Sequence, residues 1–309
     1  MNEEILAGIK LLVAMAKADG RLHDNEESAI QNALDGASLG ADVTIESLLK
    51  ENVDVEAELG KIKSPDVRRQ TYDALCAMVY VDGDGSPAEK AIIEKMRKVW
   101  ELDAQKTMGE RFKHALRQDF IPSTLGKIDD PVQRDKELDN LVLRNCIKTA
   151  VFGGIPVPLV GEFLVSFSQV QMLQSIGHIY GHHRDAAFWK ALSANFIGAT
   201  AARIAVLSLV KLIPGWGSVV GASGAFATTW AMGRATRLYF EKGEALDPNA
   251  LKEAFKTARA EGVAKAKEAK SQIDAEAERV AAARKKLDDD LAAGKIAEDE
   301  YTKQVAALV

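Results

Sequence analysis

AMAKADGRLHDNE at 14–26 and AMVYVDGDGSPAE at 77–89 are two copies of one pattern, A-M-x-x-x-D-G-x-x-x-x-x-E, offset by 63 positions. In each copy an apolar run meets Asp-Gly, and a carboxylate returns seven residues later. The run before the first copy, ILAGIKLLVAMAKA (5–18), places its apolar residues at helical spacing, and Asn25-Glu26-Glu27 opens the next periodic stretch. The reading is helix, loop, helix, twice over. Segments 64–81 and 87–100 follow the same logic, with Pro65 and Pro87 placed for a first turn. No strand pattern occurs before residue 120, and the expected class is all-α.

Composition narrows the function. A chain of 309 residues with 47% hydrophobic content can bury several cores, which excludes disorder throughout. A net charge of -5 lacks the basic footprint of phosphate-backbone binding, so nucleic acid is not an expected partner. Cys76 and Cys146, far apart and each inside an apolar helical pattern, read as buried thiols rather than a disulfide or zinc framework. Met1-Asn2-Glu3-Glu4 has neither the basic nor the apolar region of a signal peptide, and the chain is expected on the cytoplasmic side.

The sharpest change in composition lies between Lys148 and Arg184, where Glu162 is the sole charged residue, and in 191–233, where Arg203 and Lys211 alone interrupt. Ile155-Pro156 followed by Val160-Gly161 resembles Ile213-Pro214 followed by Val220-Gly221, so two equivalent apolar hairpins are expected, ending near Tyr180 and near Tyr239-Phe240. Pro156, Pro158, Gly161, Pro214, Gly217 and Gly221 are the candidate membrane or packing positions, and 217–221 has the G-x-x-x-G spacing that lets helices approach closely. Against a bilayer crossing stand Glu162, Arg203, Lys211 and the prolines. A shallow hairpin and burial in an oligomer stay open beside it. From 246 onward an Ala, Lys and Glu rich stretch with Ile273, Val280 and Leu287 seven apart reads as one long, weakly coiled-coil-like helix ending near Gly294, with a turn and a short helix in 291–309.

The paired Asp-Gly loops resemble the TerB family of tellurite-resistance proteins over about residues 1–118. The resemblance implies a compact helical bundle with an acidic surface, linked to divalent cations and membrane-associated stress complexes, with Asp19, Glu26, Asp82 and Glu89 at the matching positions. IPVPLVGEFLVSFSQVQMLQSIGHIYG (155–181) and LIPGWGSVVG (212–221) resemble uncharacterised membrane-linked domains found with bacterial GTPases, of which the YcjF-type proteins are examples, over about 140–240. That implies membrane association and a GTPase partner. The tail at 291–309 is similar to the SHOCT motif, which implies oligomerisation.

A hard divalent cation such as calcium needs several oxygens, and two acidic loops offer Asp19, Asp24, Glu26, Asp82, Asp84 and Glu89. The competing reading is structural: the Asp residues end helices and the Glu residues complement the positive ends of the next ones. An EF-hand is excluded, because Ile30 or Ile93 would fall where its last Glu belongs. His178, His182 and His183 cluster without an evident third ligand and read as histidines beside a helix end. No phosphate loop, H-E-x-x-H, G-x-S-x-G or paired C-x-x-C is present, so no enzyme is expected.

The expected organisation is an acidic helical bundle over 1–120, a linker over 121–139, apolar hairpins over 140–245 and a charged helix with its tail over 246–309. The expected function is a non-enzymatic scaffold or stress-response module on the cytoplasmic side of the inner membrane, homo-oligomeric and with a stress-complex partner. The alternative is a GTPase-associated membrane-remodelling partner acting through 140–245.

Overall fold

The computed structural model describes residues 2–18, 27, 30, 31, 34, 44–81, 85–102, 125–155, 160–185, 188, 189, 192, 206–209, 217–243 and 247–308. Among the described residues every element is an α-helix and none is a strand. In chain order these are α1 (Glu3–Ala16), α2 (Ile45–Lys50), α3 (Val55–Lys61), α4 (Pro65–Val81), α5 (Pro87–Val99), α6 (Pro131–Gly153), α7 (Val160–Ile179), α8 (Gly217–Glu241), α9 (Pro248–Glu268), α10 (Lys270–Ala292) and α11 (Glu298–Ala306). The chain divides into two units: Met1–Arg117 with Pro156–Glu162 and Ile197–Gly217, and Gln118–Ile155 with Phe163–Phe196 and Ser218–Val309.

In the first unit short polar side chains start the helices by accepting orphan backbone N–H groups. Asn2 accepts from Glu4, Asp54 from Glu56 and Ala57, and Thr44 with Ser47 forms a capping box. Glu4 Oε1 accepts from the backbone N–H groups of Lys63 (3.1 Å) and Ser64 (3.3 Å), which ties the start of α1 to the turn before α4. The duplication seen in the sequence is also a duplication of packing. Ile9, Leu11, Leu12, Val13, Met15 and Ala16 of α1 are buried, and so are their counterparts 63 positions on, Tyr72, Ala74, Leu75, Cys76, Met78 and Val79 of α4. Ile30 and Ile93 repeat the correspondence in the helices that follow. Each fully buried large aliphatic side chain among them stabilises the core by about 1.5–3 kcal/mol.

Val206 and Leu209, from the second apolar tract, are fully buried in this same core. The sequence alone does not say whether such residues face lipid or protein; here the four described residues 206–209 are helical, and Val206 and Leu209 are covered by the first unit itself.

In the second unit α6, α7 and α8 meet around a buried polar knot. Thr149 Oγ1 and Thr229 Oγ1 lie 2.8 Å apart, Gln169 Nε2 donates to Thr229 Oγ1 at 2.9 Å, and Thr229 donates back to the Ala225 carbonyl. Burying these groups is tolerable because they satisfy one another. At one end Arg237 of α8 pairs with Asp135 (2.9 Å) and Asp139 (3.1 Å) of α6 and with Glu241 (2.6 Å). The two apolar helices end close to where the sequence placed their ends, at Ile179 and Glu241.

The C-terminal region differs from a single long helix. It breaks at Ala269, which caps α9 with φ -84 and ψ 2. Tertiary packing explains the break: α9 lies against α8, α10 packs along α6, and one straight helix cannot follow both. The buried face of α9 is a stripe of Leu251, Phe255, Ala258, Gly262, Ala266 and Ala269. At Gly262 the backbones approach so closely that a Cβ would stand 2.9 Å from both Ala227 Cα and the Ala227 carbonyl oxygen. Among the described residues no helix is long and apolar enough to cross a membrane.

Candidate functional site

The acidic loops are framed by helices whose ends the sequence specifies. α1 finishes at Ala16 with Lys17 as its C-cap, and Glu27, Ile30, Gln31 and Leu34 are helical beyond the first loop. α4 finishes at Val81, and Gly85, with φ +67 in the left-handed region glycine enters without penalty, delivers the chain to α5. Of the six candidate cation ligands, Asp19, Asp24, Glu26, Asp82 and Asp84 lie outside the described residues, and Glu89 lies within them.

Glu89 occupies the third position of α5 in a capping box. Ser86 N–H donates to Glu89 Oε2 at 2.6 Å, and Glu89 N–H donates to Ser86 Oγ at 3.1 Å. A carboxylate here also complements the positive end of the helix. Glu89 therefore has a structural task that commits one of its two oxygens, and any cation it held would be shared with the cap. Among the described residues no group of three or more His, Cys, Asp or Glu side chains gathers as a metal site.

The histidines form a packed corner. His178 is buried at the end of α7 with its ring 4.5 Å from that of His183, while the His182 ring lies 4.8 Å from Phe240, which also packs against Tyr180 and Trp189. This matches the reading of histidines beside a helix end.

Of the candidate packing positions, Gly161 is buried in the first turn of α7, Gly217 and Gly221 lie within α8, and Pro156, Pro158 and Pro214 fall outside the described residues. A backbone-to-backbone helix approach lies at Gly262, which the sequence reading did not single out. Ala258, Gly262 and Ala266, four apart, carried the signal.

Residues 5–109 match the family model described as Tellurite resistance protein TerB. Magnetosome membrane protein 22 of Magnetospirillum gryphiswaldense is 29% identical over 130 residues, which cover 40% of this chain and 67% of that protein. No solved structure matches. The TerB match covers α1 to α5 and both acidic loops, in agreement with the resemblance carried by the paired Asp-Gly loops.

Proposed function

We propose that the chain is a non-enzymatic scaffold that associates peripherally with a membrane, on the cytoplasmic side of the inner membrane, as part of a metal-linked or envelope stress response. The observation that carries this reading is the likeness to a protein named as a magnetosome membrane protein, in a chain whose residues 5–109 match TerB. Attachment at the surface is favoured over insertion because the apolar tracts supply internal cores: Phe163, Leu164, Met172, Leu173 and Ile176 of α7 are buried, as are Val206 and Leu209.

Fractionation of native lysate tests it. The protein is expected to float with membranes in a density gradient and to be released by alkaline carbonate. Recovery wholly in the soluble fraction would end the membrane reading, and resistance to carbonate would end its peripheral form.

Cation binding by the two Asp-Gly loops belongs to the same proposal, supported by the matched placement of Asp19 with Asp82 and Glu26 with Glu89 in the repeat. A bound ion that favours the native state raises the unfolding midpoint. Calcium should therefore raise the thermal midpoint of the full chain, and Asp19→Ala with Asp82→Ala should abolish the rise. An undiminished rise in the double variant would exclude these ligands. Assembly into homo-oligomers and with a stress-complex protein is part of the scaffold reading, and sedimentation of the full chain tests the first.

A further inference from the structure

The charges of α9 are sorted by side. Lys252, Lys256, Arg259, Val263 and Lys267 follow one another at intervals of three or four residues, which puts them on one face of the helix. No carboxylate falls at those positions, and Glu261, two residues from both Arg259 and Val263, stands across the helix from them. Lys252, Lys256, Val263 and Lys267 are exposed, and Arg259 is half-buried.

Most of the cations in this row are uncommitted. Among the described residues Lys252, Arg259 and Lys267 form no ion pair, and Lys256 pairs with Glu253 at 2.9 Å. Glu268 is taken by Lys265, outside the row, at 2.7 Å. The chain as a whole carries -5, whereas α9 holds five basic and three acidic residues, so the positive field is local to this helix.

Packing aims the row. At Gly262 the backbone of α9 sits on the backbone of α8, which fixes the rotation of α9 about its own axis and keeps the row turned outward. At 1.5 Å per residue, the line from Lys252 to Lys267 is about 22 Å long. A straight row of cations about a turn apart suits a plane of mobile negative charges. Lipid headgroups diffuse to wherever a cation stands, whereas the carboxylates of an acidic protein sit at fixed points and must match the row one by one. Val263, midway along, gives the row an apolar side chain for the headgroup boundary, and the lysine stems can lie along that boundary with their ammonium groups on phosphates.

We propose that this face of α9 is the surface by which the protein rests on a bilayer containing anionic phospholipid. The inference rests on the peripheral membrane reading above and adds to it the contact surface and the lipid class.

The test floats the full chain with phosphatidylcholine vesicles made with and without phosphatidylglycerol. Binding is expected with the anionic vesicles, absent with the neutral ones and weakened by added salt. Lys252→Gln and Lys267→Gln should each weaken it by about fivefold, and the pair by about twenty-five-fold, while circular dichroism and the thermal midpoint stay unchanged because neither side chain has a partner to lose. Lys285→Gln with Lys286→Gln removes the same charge from exposed positions of α10 and should change binding by less than about twofold. Equal binding to neutral vesicles, unchanged binding in the α9 pair, or an equal loss in the α10 pair would overturn the proposal. Flotation of both wild type and the α9 pair with native membranes would show that this surface is wrong while the membrane reading stands, and a wild type that does not float with native membranes would end both. Native-membrane flotation that the α9 pair abolishes, without any binding to phosphatidylglycerol vesicles, would overturn the lipid assignment in favour of an acidic membrane protein.

Discussion

Gly8 of α1 faces Thr71 of α4, its counterpart 63 positions on: a Cβ built at Gly8 would lie 3.1 Å from Thr71 Oγ1. Equivalent positions of two repeats meet when the repeats are related by an approximate twofold axis passing between them, the intrachain version of a self-complementary dimer contact. The same comparison of the sequence with itself that found the acidic loops thus also locates the crossing point of the helices leading into them.

The crossing is tight enough to measure. Gly8→Ala should lower stability by about 1–3 kcal/mol through overpacking. Among the described residues the Thr71 hydroxyl is buried without a hydrogen-bond partner, so Thr71→Ala both makes room and removes an unsatisfied group. In that background the penalty of Gly8→Ala should shrink by about 0.5 kcal/mol or more, read by urea unfolding in a double-mutant cycle. Strict additivity would show that the two residues do not share this contact.

Gly262→Ala should be worse, because the obstacle is the Ala227 backbone rather than a side chain that can turn away. A loss of about 3 kcal/mol is expected, although alanine is the better helix former by about 1 kcal/mol. Thermal unfolding of the variant gives the answer, and a stability at or above wild type would refute the backbone-to-backbone packing of α9 on α8.

The tail is held by one buried ring. Tyr301 of α11 is fully buried, and its hydroxyl donates to Asp288 of α10 at 2.6 Å, while Arg284 pairs with the same carboxylate at 3.0 Å. Tyr301→Phe keeps the ring and the Arg284 pair and should cost about 1–2 kcal/mol. Tyr301→Ala should cost about 3–5 kcal/mol and release α11, seen as loss of amide-exchange protection over 298–306. Protection that survives the alanine variant would mean that other contacts dock the tail.

Alkaline pH should loosen the second unit. Burial pushes the Tyr180 hydroxyl up from 10.0 to about 12, and Glu241 beside it adds to the rise. A raised folded pKa means that the neutral phenol is favoured in the folded state, so its contribution is fully present below pH 10 and is lost as the pH climbs through about 12. Tyr180→Phe should flatten the fall in stability across that window. Tyrosinate absorbance should lose a late-titrating component in the variant, and a Tyr180 that titrates near 10 would refute the burial.

Legibility in the sequence followed the range of the interactions. The Ser86-x-x-Glu89 cap, the prolines opening α4 to α6 and the ends of α7 and α8 are set within a few residues, and the sequence displays them. The break at Ala269 is not displayed, because the Ala, Lys and Glu residues around it favour helix uniformly and the bend comes from packing on two different helices. Nor is the destination of Val206 and Leu209. The hydrophobic effect is non-directional, so an uncharged run looks the same whether protein or lipid covers it. The repeat displays the acidic segments, and of their six carboxylates the structure describes Glu89, which stands in the first turn of α5 as the structural reading expects and also closes a capping box with Ser86.

The burial of Val206 and Leu209 in the N-terminal core also sets an order of events during synthesis. Leu209 packs beside Gly8, about 200 positions earlier in the chain, so when residues 5–109 have left the ribosome two of their core side chains have yet to be translated. Until the chain passes 209 the nascent domain keeps an open apolar seam, a surface that a chaperone must cover or a neighbouring nascent chain can fill. Long-range closure of this kind is slow as well as late, and the acidic domain of this protein is completed from its far side.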